Sequence, residues 1–133
     1  MAGVCVRIVL LFFIVIASAK AEPVEVVDVA FKEIGKTWEV RVMLHHEDEG
    51  WDHYADGWRI SSEAGEILAS GALREPNRGQ ASYMVNLRDV MIPPGAQVLF
   101  VEAHENRLGW STFRVRVDLA KSEGPRYRVF QRH

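Results

Sequence analysis

The chain predicts an all-β protein: a single immunoglobulin-like antiparallel β-sandwich of about seven strands, preceded by a cleaved signal peptide. Two observations carry this. Apolar and polar residues alternate at period two along most of the chain after residue 22, with no sustained helical periodicity. The alternating runs are short and turn signals separate them at regular spacing, the pattern of a sandwich. A small barrel is the alternative.

The leader comes first. A basic lead with Arg7 precedes the ten-residue apolar run Ile8 to Ala17, and small-x-small patterns end at Ala19 and Ala21. That order is the grammar of a secretory signal, and the run is shorter than the roughly 20 apolar residues of a spanning helix. Cleavage is expected after Ala21, with Ala19 as the alternative, so residues 1–21 are assigned to the signal.

The strands follow in order. "PVEVVDVAF" predicts a strand from Val24 to Phe31. "TWEVRVMLHH" sets Trp38, Val40, Val42 and Leu44 on one face and Glu39, Arg41 and Met43 on the other. "GWRISS" points Trp58 and Ile60 inward, and "EILASGAL" and "ASYMVNL" follow it. In "IPPG", Pro94 and Gly95 suit the two central positions of a type II turn. "QVLFVEAH" is nearly continuous in apolar residues and should be central, buried on both sides. "STFRVRVDL" should point Phe113, Val115, Val117 and Leu119 inward and Arg114, Arg116 and Asp118 outward. The sandwich is assigned to residues 22–119. Beyond the break at Gly124-Pro125, residues 120–133 read as a solvated basic tail with Lys121, Arg126, Arg128 and Arg132.

Composition narrows the function. The only cysteine, Cys5, lies in the leader, so residues 22–133 hold neither disulfides nor thiolate ligands. Taking Arg7 and Lys20 from 16 basic residues, against 18 acidic, leaves a net charge of −4, which does not suggest nucleic acid. No nucleophile motif or cofactor fingerprint is present, so a non-enzymatic module is expected.

One segment concentrates chemistry. "HHEDEGWDHYADGW", His45 to Trp58, lies where a sandwich has its B–C loop, and "HENRLGW", His104 to Trp110, lies at the F–G loop. These loops meet at one pole of a sandwich. The pole should gather Asp48, Trp51, Asp52, His53, Tyr54, Asp56, His104 and Trp110, with Glu105 nearby, as a ligand-binding surface or a structural latch. Imidazole and carboxylate suit zinc or copper, so His46, His53, His104 and Asp48 are the candidate ligands of a divalent transition metal. His45 and His46 are adjacent on a strand end and point to opposite faces, so only one joins such a centre. An EF-hand-like spacing from Asp52 through Asp56 and Gly57 to Glu63 fails at Tyr54 and is set aside. Trp51, Tyr54 and Trp110 could instead stack on a glycan, with Asp48, Asp52 and Asn106 bonding its hydroxyls. As a latch, Asp52 and Asp56 would bond backbone N–H groups of the loop.

The segments "GWDHYADGW", "GEILASGAL" and "IPPGAQVLFVEAHENRLGW" are similar to a family of small exported bacterial proteins of unknown function that share a GWDHYADxW motif. The likeness runs from Leu44 to Trp110. It covers His46, Asp48, Gly50, Trp51, Asp52, His53, Tyr54, Ala55, Asp56, Trp58, Ala103 and His104. The "IPPG" region also resembles the E–F turn of fibronectin type III domains, although Val98 stands where a corner tyrosine is usual. The resemblance implies export and a sandwich-like fold. Its members carry an H-P-H element where this chain has "REPN", Arg74 to Asn77, so an Arg74–carboxylate lock is expected in its place. The reading is therefore a periplasmic or secreted monomeric binding module. Its partner is a protein, a glycan or a metal, with no membrane span after cleavage.

Overall fold

The computed structural model describes residues 3–5, 8–14, 22–77 and 79–131. Both expected cleavage sites, and Arg132 of the expected tail, fall outside these residues. No helix among the described residues is long and apolar enough to cross a membrane.

The described residues form ten strands and one short 3-10 turn. The strands are β1 (Glu25–Ile34), β2 (Thr37–His45), β3 (Ala55–Ser62), β4 (Ile67–Ala72), β5 (Ser82–Val90), β6 (Val98–Glu105), β7 (Gly109–Trp110), β8 (Val115–Asp118), β9 (Glu123–Gly124) and β10 (Tyr127–Phe130). One sheet runs β5-β2-β1-β10-β9. The other runs β4-β3-β6-β7, with β8 also on β6. Two sheets packed in this order, with the B–C and F–G connections at one end, form the immunoglobulin-like sandwich expected from the alternation.

The alternating positions explain the core. Val40, Val42 and Leu44 of β2, with Val29 and Phe31 of β1, face Ile60, Leu99, Val101 and Ala103 of the other sheet, and all are essentially inaccessible to water. Each large apolar side chain buried this way contributes about 1.5–3 kcal/mol. Trp58 joins them, as its phase with Ile60 predicts. Gly71 lies beneath the indole, and a Cβ there would overlap the ring.

Four expectations are corrected. The strand from "QVLFVEAH", β6, is central in its sheet but is buried on one face only, its residues alternating between buried and half-buried. Residues 120–131 of the expected tail are not solvated chain, because β10 pairs in parallel with β1, matching Val29 to Tyr127 and Phe31 to Val129. Tyr127 and Val129 are buried, and Gly124-Pro125 belongs to the β9–β10 hairpin instead of a linker. The sheet is accordingly mixed and not wholly antiparallel. Phe113 points outward, 76% exposed. Ser111 is the reason: its Oγ accepts the Ala103 N–H and donates to the Phe113 carbonyl, so the edge strand buckles before β8 resumes. Asp118, expected outside, is buried and accepts the Ala120 N–H and a Gln97 side-chain bond. The Ala120 bond holds its carboxyl below the ordinary carboxylate range.

The C-terminal hairpin gives a direct test. Tyr127→Ala should lower stability by about 3 kcal/mol, the cost of deleting a buried aromatic. An unchanged urea midpoint would return these residues to the solvent.

Candidate functional site

The site is built by strand parity and one tight loop. Leu44 points into the core, His45 out, and His46 back inward just past the end of β2. The chain then turns at Gly50, whose φ of 74° suits a residue without a Cβ, into the 3-10 turn Gly50–Asp52. Backbone bonds from Glu49 N–H to the His53 carbonyl and from His53 N–H to the Gly50 carbonyl close the loop and return His53 beneath His46. On β6, Ala103 and Glu105 face in and His104 faces out. Glu105 therefore enters the same buried space from the other loop.

Three donor groups converge there. His46 Nε2 lies 3.3 Å from His53 Nε2, with the ring planes nearly perpendicular. A Glu105 carboxylate oxygen rests against the same His53 Nε2. One ligating atom from each of His46, His53 and Glu105 lies within 4.8 Å of the others, and all three residues are buried. The other Glu105 oxygen accepts the Leu108 N–H. His53 Nδ1 has no hydrogen-bond partner, and the exposed Glu49 carboxylate stands 4.0 Å away.

Asp48 orients the cluster from behind. Its Oδ1 takes the proton of His46 Nδ1 at 2.6 Å and the Ala55 N–H at 3.2 Å, and its Oδ2 takes the Asn77 N–H at 2.7 Å. With the proton on Nδ1, His46 presents a bare lone pair at Nε2, the form that binds a metal. The expected Arg74 lock is replaced by this backbone N–H from the same "REPN" segment. Tyr83 is also buried, with an unpartnered hydroxyl. Burial, and then the negative charge of Asp48, push its phenol well above the ordinary tyrosine value, so it stays neutral.

The side chains of Asp48 and Glu105 are almost wholly inaccessible, so two carboxylates are sealed in the interior. Buried charge is costly unless compensated. If both imidazoles bore an Nε2 proton, two donors would face each other at 3.3 Å with one Glu105 oxygen beside them to accept. With both carboxylates ionised, one imidazolium leaves a net negative charge, whereas a dication between neutral rings leaves none.

The structure brings together His46, His53 and Asp48 of the candidate ligands but not His104. His104 turns to the outer face, where Asp56 accepts from its Nδ1 at 2.5 Å and Trp110 meets it edge-on. Glu105, its neighbour, occupies the place expected of it. Trp110 is a β7 residue with the Arg59 guanidinium 3.6 Å above its ring. Trp51 is exposed but meets Tyr54 edge to face, so the two rings form no flat platform. Asp52 is exposed, and the latch contacts expected of it belong to Asp48. Asn106 is taken up by the loop backbone, accepting the Tyr54 N–H and donating to the Trp51 carbonyl.

No family model and no solved structure matches the chain. A protein of Halomicrobium mukohataei named "Putative lipoprotein" is 29% identical over 94 residues, 70% of this chain. The match covers 46% of that protein, so this chain spans about half the length of its relative.

Asp48→Asn tests the pivot. An amide nitrogen would face donors at a site that needs acceptors, and the loss of charge-assisted bonds should cost about 2–3 kcal/mol. A variant with the parent's urea midpoint would show that the three bonds hold nothing together.

Proposed function

We propose that this protein is an exported, non-enzymatic binding module that holds a divalent transition metal, zinc or copper, between His46, His53 and Glu105. The carrying observation is the pair of facing imidazole nitrogens beside a buried carboxylate, a donor set that a dication would bridge. Two nitrogens and an oxygen suit zinc or copper. Asp48 is the outer carboxylate that fixes a ligating histidine's tautomer. The site is sealed, which suits a structural or carrier role better than catalysis, where a coordination position stays open to substrate.

Export is supported by the apolar run Ile8–Ala17 with its small residues and by the lipoprotein name of the relative. On this reading the chain is one of the exported proteins that share the GWDHYADxW motif, and the motif is a metal loop. Gly50 makes its turn, His53 ligates, and Asp56 restrains His104.

Thermal melting checks the proposal. Excess zinc or copper should raise the Tm of the native protein after EDTA treatment, by the equivalent of about 3 kcal/mol at a hundredfold excess over Kd. His53→Gln and Glu105→Gln should abolish the response. Identical melting in EDTA, zinc and copper would overturn the metal reading and leave the cluster as a hydrogen-bonded latch.

A further inference from the structure

A second group of metal-capable side chains lies on the outer face of the β2–β5 pair, away from the buried cluster. Met43 and Met84 are direct partners across these antiparallel strands, and His45 and Ser82 form the neighbouring same-face pair. Opposite residues of such a pair have Cβ atoms about 5 Å apart, and diagonal neighbours remain within reach of long side chains. Met84 is 51% exposed, and Met43 and His45 are half-buried. The outward face of a solvated sheet is ordinarily polar, and here two thioethers meet on it beside an imidazole. The Ser82 hydroxyl bonds His45 Nδ1 at 2.8 Å, which leaves Nε2 as the ring's free nitrogen.

The hard ligands nearby are already engaged. On the β1 side, Asp28 is the partner of Met43 and Glu25 the partner of His45. Arg128 holds Asp28 at 3.2 Å, and Arg126 holds Glu25 at 2.9 Å. What remains is two sulfurs and one nitrogen. Soft thioether ligands select Cu(I) over Zn(II) and the hard divalent ions. The three rotatable bonds of methionine let both sulfurs close on one ion.

We propose that Met43, Met84 and His45 form a surface Cu(I) site. It is independent of the buried cluster and stands whether or not that cluster holds a metal. Its exposure makes it an exchangeable site, able to take and pass on the ion, in contrast to the sealed centre.

The test is anaerobic competition for Cu(I) against a chromophoric chelator, using the exported protein as purified. The Met43→Leu/Met84→Leu variant keeps side-chain volume and should keep the parent's melting temperature. Its Cu(I) affinity should fall by roughly tenfold or more, and His45→Gln should weaken binding as well. His53→Gln should retain this site, which separates its fate from that of the buried one. X-ray absorption of the loaded protein should show sulfur scattering that the double variant loses. Equal competition by parent and double variant, or a spectrum without sulfur, would overturn the proposal.

Discussion

The order of the loop pole depends on the carboxylate of Asp48. It accepts donors from three segments: the His46 ring after β2, the Ala55 N–H at the start of β3, and the Asn77 N–H in the β4–β5 connection. A domain of this size without disulfides has few ways to hold three loops together. A single buried anion with three donors does so, and the same contacts set the proton on His46. Loop order and the orientation of the His46 ring are therefore one property here. The loop cannot loosen without turning an imidazole away from its partners.

The second carboxylate, Glu105, completes the arrangement from the opposite loop. Asn106, its neighbour, ties the Trp51 carbonyl and the Tyr54 N–H to the same turn. The B–C and F–G loops thus meet through backbone bonds and the buried cluster together. The aromatic residues that make the segment conspicuous play a smaller part. Trp51 is largely exposed, and Trp110 shields the outer pair of His104 and Asp56.

Much of the fold was legible because its signal is local. Alternation along β2 and β3 names the inward faces directly, whereas the apolar run of β6 hides the alternation that its packing imposes. Phe113 was not legible, since its direction depends on a serine hydroxyl inserting into the ladder two residues earlier. Nor was β10, whose partner lies nearly the whole domain away and whose Gly-Pro pair reads locally as a break. At the site, histidine chemistry identified His46 and His53 but favoured His104 over Glu105. The parity argument that separates His45 from His46 applies equally on β6. There it selects the glutamate, because Ala103 and Glu105 share the inner face.

The parallel pairing of β10 with β1 sets an order of events in folding. Among the described residues β1 is the first strand in chain order, and the strand that covers its free edge is the last. Until residues 127–130 are available, the apolar β1 edge presents unpaired N–H and C=O groups, the kind of edge that recruits other chains. Closing a loop of this length is slow compared with forming a hairpin. The domain therefore stays vulnerable to aggregation until β10 is in place, and deleting Tyr127–Phe130 should harm yield more than so short a strand suggests.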